Sequence, residues 1–261
     1  MTKGTIIMRK FFTLFISVAF CNLNAATKNE IESFLNEYAK PAYQDLVIDN
    51  QFLRSGTDMC HVRYEMIKPI LDCYNGKFSI LDLGAAQGYF SFRTAHDYPN
   101  ANCVMIGAND SYYRNHADMI LRLCKLNMQL SNITYLNKLV NLSDLKFMNR
   151  YEHFDVLLAL LVVHMMDKTY SGRAAIIKNL LSLADNVIVE VSNDVAPDLA
   201  DYVEKLSKNL DCIYLGEVRR HNYLASKATG KLFCFTRKTP PASTREGISK
   251  ETAIRFNQAY P

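Results

Sequence analysis

Apolar residues in this chain fall into short uninterrupted runs that alternate with segments of helical periodicity. Each run has the length of a strand and carries almost no polar residue, whereas the segments between them are apolar on one helical face. The runs cover residues 78–83, 103–106, 133–136, 156–163 and 187–191, and the helical segments cover 89–97, 112–129 and 172–184. Strands that are apolar on both faces and alternate with helices predict a parallel sheet.

The regions on either side of this pattern complete the predicted fold. Before the first run, helical periodicity covers residues 29–39 and 61–74, and the mixed stretch between them has turn residues near Asp49 and Asn50. After the fifth run, a helix over 196–209 leads to two strands, 212–220 and 231–237, joined by a connection rich in turn formers. The predicted fold is therefore α/β: a doubly wound, mostly parallel seven-stranded sheet with an antiparallel C-terminal hairpin and helices on both faces.

The first 25 residues are typical of a targeting segment. Arg9 and Lys10 precede an apolar run over 11–20, and Ala25 and Ala26 follow it. This order predicts a secretory signal peptide over 1–25, and the run is too short to span a bilayer. We therefore expect an exported protein, periplasmic or secreted, without a further transmembrane span. The alternative, a buried amphipathic helix or a misplaced start codon, would leave the protein in the cytoplasm.

The rest of the chain is divided by composition and pattern into three parts. An N-terminal helical and irregular extension covers 28–59, the main domain covers 60–237, and a polar tail covers 238–261. The net charge is +4, but three of these charges, on Lys3, Arg9 and Lys10, lie in the targeting segment. The remainder of the chain is thus almost neutral, which disfavours a nucleic-acid partner because such proteins usually carry a basic face.

Seven cysteines are scattered along the chain. They form no Cys-x-x-Cys pair and no Cys/His cluster, so we predict no metal site. Their spacing leaves open whether any are paired, and we expect most of them to be buried small apolar side chains.

Candidate chemistry lies where the first strand meets its helix. Asp82 is followed by Gly84, Ala85, Ala86, Gln87 and Gly88, and ligands of open parallel sheets bind outside the carboxyl ends of the strands. Glycines at such a turn let the backbone approach a ligand closely. Ala86 stands where the dinucleotide-binding motif Gly-x-Gly-x-x-Gly needs its middle glycine, so an oxidoreductase with a nicotinamide cofactor is disfavoured.

The run over 80–91, Ile-Leu-Asp-Leu-Gly-Ala-Ala-Gln-Gly-Tyr-Phe-Ser, resembles the first motif of the class I S-adenosylmethionine-dependent methyltransferases. The order of elements is also similar to that family over residues 60–237. The resemblance implies that the turn passes beneath the methionine moiety and the sulfur of S-adenosylmethionine. It also implies cofactor-binding roles for the four matching positions Asp82, Gly84, Ala85 and Gly88.

Two departures from the family pattern affect the expected cofactor site. At the end of the second strand the family has an acid that binds the ribose hydroxyls, but here Asn109 holds that position and Asp110 follows. Either Asp110 reaches the ribose or Asn109 accepts through its amide oxygen with weaker binding, and both can also cap the next helix. After the third strand no acid occurs, so any adenine contact near Leu139 would be made by the backbone.

Further candidates follow the later strands. Leu160 would face the cofactor, and His164 would lie at the mouth of the site, where it could position or deprotonate an acceptor or merely cap the core. Arg63, Glu190 and His221 are the substrate-side candidates, and Arg63 could also close over the cofactor carboxylate because a guanidinium suits a carboxylate. The alternatives are a surface arginine and solvated loop residues.

The favoured function is methyl transfer from S-adenosylmethionine to a small molecule, a glycan or a protein. Proximity supplies most of the rate in such enzymes, so catalytic residues are few. The glycine motif is also similar to that of ribosomal RNA 2′-O-methyltransferases, but their lysine–aspartate–lysine–glutamate tetrad cannot be placed here. The alternative is an exported non-catalytic or weakly cofactor-binding protein on the same fold, which Asn109, the missing adenine acid and the signal segment favour.

Overall fold

The computed structural model describes residues 26–38, 43–58, 60–107, 116–127, 129–219 and 229–237, without the side chains of 116–118. The predicted signal peptide, the polar tail, Asn109, Asp110 and His221 lie outside these residues. Within them the strands are β1 Leu46–Ile48, β2 Gln51–Arg54, β3 Ser79–Leu83, β4 Asn102–Gly107, β5 Ile133–Asn137, β6 Phe154–Leu160, β7 Ala184–Val191, β8 Cys212–Arg219 and β9 Thr229–Thr236. The helices are α1 Lys28–Glu37, α2 Cys60–Asp72, α3 Tyr89–Asp97, α4 His116–Leu126, α5 Leu142–Tyr151, α6 Val163–Met166, α7 Tyr170–Leu183 and α8 Pro197–Ser207.

Seven of the strands form one sheet in the order β5-β4-β3-β6-β7-β9-β8. The first five are parallel to one another, and β9 lies antiparallel between β7 and β8. The predicted fold class is therefore confirmed. The direction of winding reverses between β3 and β6, and in open sheets of this kind the ligand-binding crevice lies beyond the carboxyl ends of these two strands.

Alternation along the strands divides the sheet into two apolar faces. Leu81 and Leu157 point into a cluster with α5, α7 and α8, whereas the neighbouring Ile80 and Leu158 point into a cluster with α2 and α3. Because both faces are covered, the parallel strands are mostly apolar on both faces, with buried exceptions such as Asp82 and Glu190, and this is the pattern that the sequence showed.

The N-terminal segment, 43–58 together with α1, packs against the sheet as part of the same fold. Phe34, Leu46 and Ile48 share a third apolar cluster with Phe92 of α3 and Met105 of β4. The segment contains the β1–β2 hairpin, which the sequence reading missed. Its two turn residues, Asp49 and Asn50, have φ angles of +51° and +57°, a conformation that short polar side chains tolerate.

Two helices were also missed, and one strand is shorter than predicted. Helix α5 begins at a capping box, in which the Asn141 side chain accepts from the backbone of Asp144 and the Asp144 side chain accepts from that of Asn141. The fourth apolar run was predicted to be a strand as far as residue 163, which is wrong. Strand β6 ends at Leu160, because Leu161 has a φ angle of +53° and turns the chain into α6.

The six cysteines within the described residues are all free thiols. Cys60, Cys103 and Cys234 are buried, Cys124 and Cys212 are partly buried and Cys73 is exposed, so the expectation that most are buried holds for only half of these six. Burial raises the pKa of Cys234 to about 12, so this thiol is protonated and unreactive at neutral pH. None of the helices in the described part of the chain combines the length and the apolarity that a membrane span requires.

Candidate cofactor pocket

A pocket of about 220 Å³ lies beyond the carboxyl ends of the central strands. It is where the strand order predicts the ligand crevice, and its walls come from the β3–α3 turn, the end of β4, the segments after β5 and β6, helix α4 and the N-terminal segment. The lining residues are Tyr43, Leu83, Gly84, Ala86, Ile106, Gly107, Ile120, Lys138, Leu139, Val140, Leu160, Leu161, Val162, His164, Met165 and Met166.

The β3–α3 turn, residues 84–88, is fixed to the neighbouring strand by its own backbone. The N–H groups of Gly84 and Ala85 both donate to the carbonyl of Ile106, over 2.8 and 3.0 Å, and the N–H of Gly88 donates to the carbonyl of Ala85 over 2.7 Å. Gly84, Ala86 and Gly88 all have left-handed φ angles, of +76°, +48° and +82°. This conformation is sterically strained for Ala86, whereas glycine would adopt it without that strain.

Each glycine of the turn also makes room for a neighbouring side chain. A Cβ on Gly84 would lie 2.5 Å from Cγ2 of Val162, which follows β6. A Cβ on Gly88 would lie 2.8 Å from the Phe92 ring and 3.2 Å from Sδ of Met105. The turn is therefore held between β4, α3 and the chain that leaves β6.

Asp82 lies behind the turn and is bonded to the helix that follows it. The residue is 3% exposed, and its carboxylate accepts a hydrogen bond from Oγ of Ser91 over 2.8 Å. Burial raises the pKa of Asp82 to about 6, and the hydrogen bonds from Ser91 offset only part of that effect.

The predicted cofactor residues thus divide into two groups. Gly84, Leu139 and Leu160 line the pocket, whereas Asp82, Ala85 and Gly88 support the turn from behind. The roles of these residues in cofactor binding remain predictions, as do those of Asn109 and Asp110, which lie outside the described residues.

The wall that follows β5 offers an apolar surface and no acid. The N–H of Lys138 donates to the carbonyl of Gly107 over 3.2 Å, which holds this segment against the end of β4. The Lys138 ammonium lies 3.4 Å from a carboxylate oxygen of the buried Asp144. Leu139 is 70% exposed, so it presents an uncovered apolar side chain to whatever enters the pocket.

The wall that follows β6 depends on one unusual backbone conformation. Leu161 is 6% exposed and has a φ angle of +53°, which is an outlier for a bulky side chain. The turn at Leu161 starts α6 and so brings His164, Met165 and Met166 to the pocket. His164 was expected at the end of the strand itself, which is wrong, although it does lie at the pocket.

Arg63 and Glu190, two of the substrate-side candidates, are paired with each other. Nε and Nη2 of Arg63 donate to the two carboxylate oxygens of Glu190 over 2.7 and 2.8 Å. The two residues are 1% and 2% exposed, so the alternatives of a surface arginine and a solvated loop residue are wrong. Burial alone would lower the pKa of Arg63, but the charge and hydrogen bonds of Glu190, together with the charge of Asp58, outweigh burial and raise the pKa above its usual value. An acceptor could use either side chain only if this pair opened.

Two further residues complete the surroundings of this ion pair. Nη1 of Arg63 lies 2.8 Å from Oδ1 of Asp58, close enough for charge attraction but without the geometry of a hydrogen bond. A Cβ on Gly230 of β9 would lie 2.0 Å from Oε1 of Glu190, so only glycine leaves space for the carboxylate here.

The N-terminal segment supplies site residues that sequence reasoning missed. Tyr43 lines the pocket, and the buried Gln44 beside it contacts the β3–α3 turn. The N–H of Gln44 donates to Oε1 of Gln87 over 2.9 Å, and Oε1 of Gln44 accepts from the N–H of Tyr89 over 3.1 Å. These residues precede the motif by about 40 positions and match no pattern, so only the tertiary structure brings them to the site.

Comparisons with known proteins bear on the fold of the chain. No protein-family description and no curated protein sequence matches the chain. Among solved structures, the bifunctional kinase-methyltransferase WbdD superposes with a TM-score of 0.59 and 17% identity, over 79% of this chain and 46% of WbdD. The N-terminal domain of EvdMO1, determined in the presence of SAH (S-adenosylhomocysteine) and D-fucose, superposes with a TM-score of 0.55 and 11% identity, over 81% of this chain and 97% of that domain.

At these identities the likeness establishes the fold and nothing finer. The chain spans about half the length of WbdD, and it spans nearly all of the EvdMO1 domain. The described chain therefore has the fold of the S-adenosylmethionine-dependent methyltransferases that its glycine motif resembles.

Proposed function

We propose that this protein is an S-adenosylmethionine-dependent methyltransferase and that the pocket at the carboxyl edge of the sheet binds the cofactor. The observation that carries the proposal is the convergence of the walls. The glycine turn, the end of β4 and the segments after β5 and β6 are the four places where the motif resemblance predicts cofactor contacts, and all four line one pocket.

The residues present fit such a cofactor in shape and polarity. The left-handed turn at Gly84 and Ala86 offers backbone rather than side chains to a ligand, and the exposed Leu139 offers an apolar surface for a nucleoside base. Lys138, the one lysine of the described lining, is paired with Asp144, which weakens its repulsion of a cationic sulfonium.

The cofactor, when bound, would supply an electrophilic methyl group, and the chain would mainly hold an acceptor in line with it. Proximity and orientation account for most of the rate in such transfers. Leu160, Leu161 and Val162 would exclude water on one side of the reacting atoms. His164 would orient an acceptor hydroxyl or take its proton as the new bond forms.

A small molecule or a glycan is the acceptor class we favour, ahead of a protein and of nucleic acid. EvdMO1 was crystallised with D-fucose, and that domain has the fold described here. The nearly neutral chain beyond the targeting segment gives nucleic acid no support.

A second candidate function is a non-catalytic or weakly cofactor-binding protein on the same fold. The described wall after β5 carries Asn137, Lys138 and Leu139, so it offers no carboxylate to an adenine amino group. Asn109, where the family has a ribose-binding acid, supports the same reading.

Titration calorimetry of the purified protein with S-adenosylhomocysteine tests the proposal directly. We expect saturable binding with micromolar affinity and no heat with NAD⁺, the matched nucleotide control. Absence of binding to S-adenosylhomocysteine would remove the methyltransferase proposal. A large gain in affinity in Asn109→Asp would favour the second candidate, because it would mean that the natural site is weakened.

Export is a separate proposal that the predicted signal peptide supports. Helix α1 begins at Lys28, so cleavage after Ala25 or Ala26 would leave the first helix of the fold intact. Cell fractionation with N-terminal sequencing is the test: a cytoplasmic protein that retains residues 1–25 would exclude it.

A further inference from the structure

The N-terminal end of helix α3 has no capping residue of its own. Its N-cap is Gly88, which has no side chain to accept from the first backbone N–H groups of the helix. Such groups are costly when they are buried without a partner. Two other side chains supply acceptors: Oε1 of Gln44 accepts from the N–H of Tyr89, the first residue of the helix, and the Asp82 carboxylate accepts from the backbone of Ser91.

The same residue also holds the glycine turn through Gln87. The backbone N–H of Gln44 donates to Oε1 of Gln87, and the two glutamines are 5% and 2% exposed. Gln44 is therefore bonded to Gln87 in the turn and to Tyr89 at the start of α3, the residues on either side of Gly88.

Gln44 is itself rigidly placed by the chain that leads into α2. A Cβ on Gly56 would lie 2.2 Å from the carbonyl carbon of Gln44, so the two backbones pack directly on each other. The N–H of Asp58 donates to the carbonyl of Tyr43 over 3.0 Å, and the N–H of Gly56 donates to Oδ1 of Asp45 over 2.8 Å. Tyr43, one residue before Gln44, lines the pocket.

We propose that Gln44 is a positioning residue that sets the conformation of the glycine turn for cofactor binding. The turn contains three left-handed residues, one of them Ala86, so it does not hold this shape by local preference alone. The backbone bonds to Ile106 hold the start of the turn, and the bonds of Gln44 to Gln87 and Tyr89 hold its end on both sides of Gly88. The identity of the ligand in this proposal rests on the proposed function. The effect of Gln44 on the turn does not depend on it.

Two substitutions at Gln44 separate the hydrogen bond that its side chain accepts from Tyr89 from the packing of that side chain, and both leave its backbone N–H bond to Gln87 in place. Gln44→Met keeps the size of the side chain and removes the acceptor, whereas Gln44→Glu keeps an acceptor beside the positive end of the α3 dipole. We expect Gln44→Met to weaken binding of S-adenosylhomocysteine roughly tenfold, the factor for one lost hydrogen bond to a buried donor, and Gln44→Glu to bind nearly as the natural protein does.

Asn132→Ala is the matched control, because Asn132 serves the opposite end of the same helix. Its side chain donates to the carbonyls of Ala95, Tyr98 and Ala101. We expect this variant to lower the melting temperature and to leave the affinity for S-adenosylhomocysteine unchanged. Amide hydrogen exchange of residues 84–92 without ligand gives a second measurement: exchange accelerates in Gln44→Met and not in Asn132→Ala.

The outcomes separate this proposal from the proposed function. If the natural protein does not bind S-adenosylhomocysteine, the methyltransferase proposal fails, and hydrogen exchange still decides the role of Gln44. Unchanged affinity together with unchanged exchange in Gln44→Met would overturn the positioning role. If Gln44→Met does not fold, Gln87→Met replaces it in the test. We expect the same loss of affinity and the same faster exchange, and unchanged affinity together with unchanged exchange would again overturn the positioning role.

Discussion

Asp82 is a carboxylate in surroundings that disfavour its charge. It is buried behind the glycine turn, and burial raises its pKa from 3.8 to about 6. Between these pH values the folded chain retains a proton that the unfolded chain releases. By linkage, the contribution of Asp82 to stability is fully present below pH 3.8 and is lost as the pH rises through about 6.

Asp82→Asn removes this titration and keeps an oxygen that can accept from Ser91. Because ionising the buried acid costs about 3 kcal/mol more than in the unfolded chain, we expect the free energy of unfolding near pH 7.5 to rise by about 2–3 kcal/mol. Near pH 4 the two proteins should be about equally stable. Urea unfolding at both pH values measures this difference, and an equal gain at both would contradict the assigned titration.

The residue scale also shows what a motif can and cannot reveal. Gly84, Leu139 and Leu160 were placed at the pocket because strand ends and the glycine turn are visible in the sequence. Tyr43 and Gln44 were not, because they lie far upstream in a segment without periodicity and reach the site only through tertiary packing. The pairing of Arg63 with Glu190 was also invisible, since 127 positions separate the two residues.

At the scale of helices, strands and turns, the main feature is the contact between two turns at the sheet edge. The turn after β3 approaches the turn after β6 so closely that Gly84 has no room for a Cβ beside Val162. Gly76 has a similar φ angle, +80°, but a Cβ there would meet nothing within 4 Å. Comparing alanine substitutions at these two glycines therefore separates the energetic cost of a left-handed backbone from the cost of steric overlap.

Gly84→Ala should be clearly more destabilising than Gly76→Ala. Both variants incur the left-handed penalty of about 1 kcal/mol, and Gly84→Ala adds an overlap that we expect to cost a further ~1–3 kcal/mol. Val162→Ala in the Gly84→Ala background should recover part of the loss. Chemical denaturation of the four proteins provides the comparison; equal losses in the two alanine variants would mean that the turns do not press on each other.

Most elements of the sheet were predictable, and those that were missed have identifiable causes. The five parallel strands and α3 follow from apolar runs and helical periodicity. Strands β1 and β2 are three and four residues long, and β2 is exposed or half-buried throughout, so neither shows alternation. Helix α5 carried its capping box in the sequence, but its two buried apolar residues, Leu145 and Met148, give only a weak periodicity.

At the scale of the whole molecule, a buried ion pair joins distant parts of the chain. Arg63 on α2 and Glu190 on β7 bind each other with two hydrogen bonds, and Asp58 lies on the other side of the guanidinium. Taking one partner away would leave a buried charge uncompensated, which is more harmful than replacing both by apolar residues.

A double-mutant cycle with Arg63→Met and Glu190→Leu measures this coupling. We expect each single substitution to lower the free energy of unfolding by about 3–5 kcal/mol. The double variant should lose less than the sum, by about 1–3 kcal/mol. The exposed pair Lys28–Glu32 on α1 is the control, and its coupling should stay below about 0.5 kcal/mol. Additive losses at the buried pair would show that it does not act as a unit.

The shared cluster of Phe34, Leu46 and Ile48 with Phe92 and Met105 affects how the protein can be shortened. A boundary at residue 60, where the motif-bearing region was expected to begin, runs through this cluster rather than around it. A polypeptide that started there would leave Phe92 and Met105 exposed to solvent, and an apolar patch of that kind promotes self-association. Anyone who wishes to produce the sheet domain alone should therefore begin ahead of Lys28, so that the first helix and the hairpin remain as its cover.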